Sequence, residues 1–183
     1  MSTGQQFRAL HDRGGAFILA NAWDIGSAKM LAAMGAQAIA TSSAAHAFTL
    51  GQPDGTVTRD QALAPAADIV AAVAVPVQGD FENGYSDTPE GTAQTLRLAA
   101  QAGLAGICIE DVPFGGDTVY DFDLAVAKIR AAATAARALP DDFILTARAD
   151  GIMIGAYDID EAIRRCPRAW TIWRRLSRKP TSR

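Results

Sequence analysis

Alternation constrains this chain more than any other feature of it. Apolar runs of strand length recur five times, each followed by a stretch of helical periodicity, at about 30 residues per unit. A short helix over Gln5–Asp12 precedes the first run, Ala16–Ala20. A helix over Ile25–Met34 stops at Gly35, and Ala36–Thr41 forms the second strand. Residues 46–58 read as a long loop with Gly51, Pro53 and Gly55, followed by a helix over Arg59–Val73 that Pro65 should bend. The third strand begins at Val75 and delivers Asp80 and Glu82 before Asn83-Gly84 breaks it, and a helix spans Thr88–Ala102. Ala105–Ile109 is the fourth strand, Phe122–Ala138 a helix, Phe143–Ala147 the fifth strand, and Asp158–Arg165 opens another helix. This order predicts a parallel sheet with helical cover.

The polar residues are distributed as that architecture requires. Trp23 and Asp24, Ser42 and Ser43, Asp80 and Glu82, Glu110, and Arg148 each fall just past the carboxyl end of a predicted strand. In α/β barrels and open α/β sheets alike, that edge builds the site. Asp80 and Glu82, two residues apart on an extended segment, should share a face, although the stretch also reads as a solvated acidic loop. With Glu110 from the neighbouring strand they form a set of hard oxygen ligands, which suits Mg²⁺ or Mn²⁺ and not Zn²⁺. The alternative for Glu110 is a pairing with a Lys or Arg elsewhere. Arg148 offers a planar fork for a substrate carboxylate, with an ion pair to Asp150 or Glu110 as the alternative. Trp23 is a pocket wall or a packing residue, and His46 reads as a loop residue. No Gly-x-Gly-x-x-Gly or P-loop is present.

Composition bounds the class. One sizeable core fits 183 residues, and two hardly do. Residues 1–15 lack the apolar centre of a signal peptide, and no run has the length of a membrane span. The two cysteines, Cys108 and Cys166, make neither a disulfide framework nor a metal knuckle, so a reducing cytoplasm is the expected compartment. Charge is uneven: residues 1–163 carry 9 Lys and Arg against 20 Asp and Glu, while residues 164–183 carry 8 basic residues and no acid. A basic tail of that kind can contact nucleic acid.

On these residues the chain resembles the phosphoenolpyruvate mutase/isocitrate lyase superfamily. The matching pieces are Asn21-Ala-Trp-Asp24 with Ser27-Ala28, Ala38-Ile-Ala-Thr-Ser-Ser43, Gly51-Gln-Pro-Asp54, Asp80-x-Glu82-x-Gly84-Tyr85, Gly106-Ile-Cys-Ile-Glu-Asp111, and Ala147-Arg148-x-Asp150. The resemblance implies a (β/α)8 barrel of the TIM type and an Mg²⁺-dependent reaction on a small 2-oxo acid or phosphonate through a pyruvate-enolate-like species. Asp80 would be the direct metal ligand, with Glu82 and Glu110 acting mainly through metal-bound water. The Ser42-Ser43-Ala44 segment and Arg148 would bind the carboxylate and oxo end of the substrate, and Asp54 would ride on a loop that closes over the site. Relatives of this kind form homo-oligomers, and neither nucleic acid nor membrane is an implied partner.

Two departures qualify the resemblance. Lyase members carry Lys-x-Cys-Gly-His in the loop after strand four, whereas Val112–Tyr120 here has neither Cys nor His, which argues against isocitrate lyase chemistry and for the phosphonomutase-like branch. A complete barrel takes about 250 residues, and this chain shows about five βα units, so residues 1–165 are expected to be a partial catalytic barrel and 166–183 an aberrant tail. Regrouping the codons of Trp170-Thr-Ile-Trp173 by one nucleotide gives Leu, Met or Val, then Asp, a variable residue, Leu or Met, and Ala, which resembles the helix expected there. The tail is therefore expected to be a frameshift product, with its charge an accident of reading frame. The alternative to an active enzyme is a truncated, catalytically inactive barrel fragment.

Overall fold

The computed structural model describes residues 1–166. The expected aberrant tail lies outside the described residues, apart from Cys166.

Five parallel strands lie in the order of the chain: β1 (Ala20–Ala22), β2 (Ile39–Thr41), β3 (Val77–Asp80), β4 (Gly106–Ile109) and β5 (Ile144–Ala147). Register pairs Ala20 with Ile39, Ile39 with Val77, Gln78 with Gly106, and Cys108 with Thr146. Sequential, all-parallel neighbours joined by helices are the arrangement of a TIM-type barrel wall. Close pairing of β4 with β5 requires the glycine at 106, since a Cβ there would lie 2.4 Å from the Ile144 carbonyl oxygen.

The helices are α1 (Thr3–Asp12), α2 (Ile25–Ala33), α3 (Ser43–Thr49), α4 (Arg59–Ala72), α5 (Pro89–Gln101), α6 (Phe122–Arg137) and α7 (residues 159–166). Their starts are encoded locally. Asp24 caps α2 and Thr58 caps α4, each in a reciprocal box with the third helical residue, Ser27 and Gln61. Thr88 caps α5, with Pro89 in its first turn. Asp24 follows β1 by two residues, whereas α3 and a loop separate Thr58 from β2.

One face of the sheet is apolar. Val77, Ile107, Ile109 and Leu145 pack with Ile69, Leu96, Ala99, Ile129 and Ala132 of the covering helices. The alternate positions carry polar side chains, as the two-residue period of a strand demands. Thus Gln78 Nε2 donates to Thr146 Oγ1 at 3.0 Å, and the Asp80 N–H donates to Thr41 Oγ1 at 2.8 Å. At the amino end, Phe7 of α1 joins Ala38, Ala105 and Ile144, and Arg8 pairs with Asp142 at 3.1 Å.

Three expectations need correction. The first strand is Ala20–Ala22, not Ala16–Ala20, because β2 is the neighbour that can satisfy its backbone and it faces only those three residues. Phe17 and Leu19 instead pack on the α1 cluster. The loop expected over residues 46–58 opens as helix: Ser42 accepts the Ala45 N–H at 3.3 Å, and the alanines after it favour α3. Finally, β3 stops at Asp80, so Glu82 does not reach the site by strand alternation. Phe81 is fully buried, and Glu82 and Tyr85 take left-handed backbone at φ 48 and 51. Among the described residues no helix is long and apolar enough to cross a membrane.

Candidate active site

Asp80 ends β3 with its carboxylate fully engaged. Oδ2 accepts the Ser43 N–H at 2.9 Å and the Ser43 hydroxyl at 2.8 Å, while Oδ1 accepts Arg148 Nη1 at 3.2 Å and the Cys108 thiol at 3.3 Å. Burial, together with the Asp80 charge, pushes the Cys108 thiol up to about 12, so it remains a donor.

Glu82 and Glu110 meet across β3 and β4, whose chains are joined by the Glu110 N–H on the Glu82 carbonyl at 2.9 Å. Both carboxyls are held above the ordinary carboxylate range, first by burial. Contact with Asp150 and Glu82 raises Glu110 further, and the charges of Asp54 and Asp80 press on Glu82. Two desolvated acids this close share a proton instead of both ionising.

Arg148, just past β5, faces three acids. Nη1 meets Asp80 at 3.2 Å, and Nη2 lies 3.7 Å from Glu110 Oε2 and 2.5 Å from Asp150 Oδ2. The ion-pair alternative from the sequence is thus what the geometry contains, and the fork expected to hold a substrate is turned toward carboxylates of the chain itself.

Beside these groups a cleft is lined by Trp23, Thr41, Ser42, Ser43, His46, Asp80 and Tyr85. Trp23 is 44% exposed and forms its wall. The Ser43 hydroxyl donates to Asp80, while the Ser42 oxygen accepts from α3 and keeps its own proton to donate. Ala44 follows in the first turn of α3. Asp54 is exposed on the loop before α4, and its charge is felt at Glu82. That loop is seated against the loop after β4: a Cβ on Gly55 would lie 2.9 Å from Gly115 Cα.

Sequence reasoning therefore places Asp80, Glu82, Glu110 and Arg148 in one cluster, and the structure brings them together there. It gave Cys108, Tyr85 and Asp111 no role in the site, and Asp150 only that of an ion-pair alternative for Arg148. The alternation of β4, which turns Cys108 to the same face as Asp80, was the available signal for the thiol.

Whether this cluster fits a divalent cation turns on its donor chemistry. Among the described residues no three His, Cys, Asp or Glu side chains stand in a ligating arrangement. The donors themselves are hard oxygens, and burial of Glu82 and Glu110 disfavours ionising both, a cost that a hard cation would relieve. By donor type these residues suit a hard cation such as Mg²⁺ or Mn²⁺, although their side chains do not stand in a ligating arrangement.

Residues 7–170 match the phosphoenolpyruvate phosphomutase family. The chain belongs to that family. A solved structure described as a putative lyase/mutase from Burkholderia cenocepacia superposes with a TM-score of 0.89 at 46% identity, covering 93% of this chain and 61% of that one. An uncharacterized protein of Mycobacterium tuberculosis is 41% identical over 124 residues, 67% of this chain and 46% of its own length. A 2,3-dimethylmalate lyase of Eubacterium barkeri is 32% identical over 174 residues, 90% of this chain and 58% of its own. A solved structure of 2,3-dimethylmalate lyase, a member of the phosphoenolpyruvate mutase/isocitrate lyase superfamily, superposes with a TM-score of 0.82 at 27% identity, covering 94% of this chain and 61% of that one. The chain spans about half the length of the curated relatives it matches. This phosphoenolpyruvate phosphomutase family member thus shares its βα units with a superfamily of lyases and mutases.

Proposed function

We propose that the site serves a Mg²⁺-dependent lyase or mutase reaction on a small 2-oxo acid or phosphonate, cleaving or rearranging a C–C or P–C bond beside an enolpyruvate-like species. The observation that carries this reading is the convergence of Asp80, Glu82, Glu110 and Arg148 from three consecutive strands at one edge of a cleft. Family membership supports the reaction class.

Asp80, Glu82 and Glu110 would hold the Mg²⁺ ion, or Mn²⁺ in its place, which would supply electrophilic stabilisation of the developing enolate. Arg148 adds fixed positive charge at the same edge, and a substrate carboxylate would have to displace one of the acids that now face its guanidinium. Ser43 keeps Asp80 turned into the cleft. Trp23 and Tyr85 line the cleft. Asp54 approaches with its loop and completes the ring of acids around Glu82.

Pyruvate or phosphate release from oxaloacetate and phosphonopyruvate, with Mg²⁺ and with EDTA, tests the reading. Release that needs Mg²⁺ and disappears in Asp80→Ala is the expected result. Release unaffected by Asp80→Ala removes the metal assignment. Folded protein with no release from either substrate counts against this reading.

A further inference from the structure

Asp111 and Asp150 sit beside the two central charged residues, Glu110 and Arg148, yet the chemistry above uses neither. Asp111 is 6% exposed in the loop after β4. Three donors from beyond β5 converge on its carboxylate. The Asp150 N–H reaches Oδ1 at 2.8 Å, while the Tyr157 hydroxyl and Arg165 Nη1 reach Oδ2 at 2.9 and 3.0 Å. Asp150 in turn stands 2.5 Å from Arg148 Nη2, which itself faces Glu110.

The backbone explains why this relay is needed. Asp150 opens a short 3-10 turn, Asp150–Ile152, and no side-chain cap precedes it. The first N–H groups of such a turn have no partner inside it. Asp111 takes the one at Asp150 and so fixes the direction in which the Asp150 side chain leaves the backbone. A long arginine side chain has many rotamers; Asp80 and Glu110 also face its guanidinium, and Asp150 adds the shortest of the three contacts.

We infer that Asp111 and Asp150 are positioning residues for Arg148: Asp150 holds the guanidinium directly, and Asp111 holds Asp150 through its backbone N–H. The catalytic consequence rests on the proposed function. The orientation itself does not, and is measurable without turnover.

The guanidinium N–H signals of Arg148 in ¹H–¹⁵N spectra, assigned by their loss in Arg148→Lys, report whether the group is held. They should be resolved and slowly exchanging in the full chain; in Asp150→Ala and Asp111→Ala the Nη2 signals should broaden and exchange faster, while Asp80 keeps its contact with Nη1. Oxalate, a planar two-carbon dianion resembling pyruvate enolate, should bind in the presence of Mn²⁺ about tenfold more weakly to both alanine variants. If Asp111→Ala does not fold, Asp150→Ala, which leaves the Asp111 side chain intact, still decides the role of the pair. Arg148 Nη2 signals unchanged by both alanine substitutions overturn the inference, and so does unchanged oxalate binding where those signals have broadened. A wild-type chain that binds no oxalate sinks the proposed function, leaving the Arg148 signals to judge the positioning role.

Discussion

The hydroxyl and the backbone N–H of Ser43 donate to the same oxygen of Asp80, at 2.8 and 2.9 Å, across 37 residues of chain. A serine at the end of one strand thus sets the acid at the end of the next. Ser43→Ala removes one of the two bonds and leaves the other. It should cost about 1 kcal/mol of stability. Mn²⁺ affinity should fall about tenfold, because the carboxylate loses its fixed orientation. Urea unfolding and calorimetric titration with Mn²⁺ measure the two effects, and unchanged Mn²⁺ affinity would remove Ser43 from the site.

Protonation of the Glu82–Glu110 pair should make stability depend on pH. Both groups lie above their ordinary value of 4.5 in the folded chain. Above that value the folded state holds more protons than the unfolded one, so their contribution is complete below pH 4.5 and is lost as pH rises through the folded values. Glu110→Gln, which mimics the protonated partner, should flatten the decline. Mg²⁺ should stabilise the wild type more at pH 8 than at pH 5, since it competes with a proton. Thermal unfolding across this range with and without Mg²⁺ reads both effects, and an identical Mg²⁺ effect at the two pH values would count against a cation at these acids.

Lys128 behaves in the opposite sense. It lies on α6, 1% exposed, with Nζ donating to the Ser86 carbonyl at 2.7 Å and 3.8 Å from the Tyr120 ring centroid. Burial lowers it from 10.5 to about 8. Between those values the unfolded chain holds the extra proton, so stability from this group rises with pH from about 8 toward 10.5. Lys128→Met should abolish that rise, as denaturant midpoints at pH 8, 9 and 10 would reveal. A rise of the same size in the variant would assign it to other groups.

The contact between Gly55 and Gly115 should be intolerant of a side chain. A Cβ on Gly55 would approach Gly115 Cα to 2.9 Å, and one on Gly115 would approach the Gly55 carbonyl oxygen to 2.9 Å, at φ values of +73 and +64. Gly55→Ala should cost about 1 kcal/mol and unseat the loop that carries Asp54. Faster proteolytic cleavage within residues 51–58 would reveal it, and cleavage at the wild-type rate would mean that this contact does not hold the loop.

Much of this was legible in the residues themselves. The helix starts at Asp24, Thr58 and Thr88 are capping chemistry that acts within three or four residues, so reading along the chain finds them. The limits of β1 were not legible, because a strand ends where its neighbour stops accepting hydrogen bonds, and β2 lies nearly 20 residues further along the chain. Glu82 shows the same division within one residue. Its place beside Asp80 and Glu110 followed from sequence, but by the wrong route, since a left-handed turn and not strand alternation carries it there.

The sequence by itself determined the parallel βα order and the charged residues that gather at the carboxyl edge, because periodicity, caps and strand ends are local properties. Only the tertiary structure decided what those groups do to one another. Ser43 became the holder of Asp80, and Arg148 turned toward Asp80, Glu110 and Asp150. Burial held Glu82 and Glu110 above the ordinary carboxylate range. The physical reason is that Coulomb and hydrogen-bond energies depend on distances of a few ångströms and on lost water, and neither quantity is set until strands far apart in sequence lie side by side.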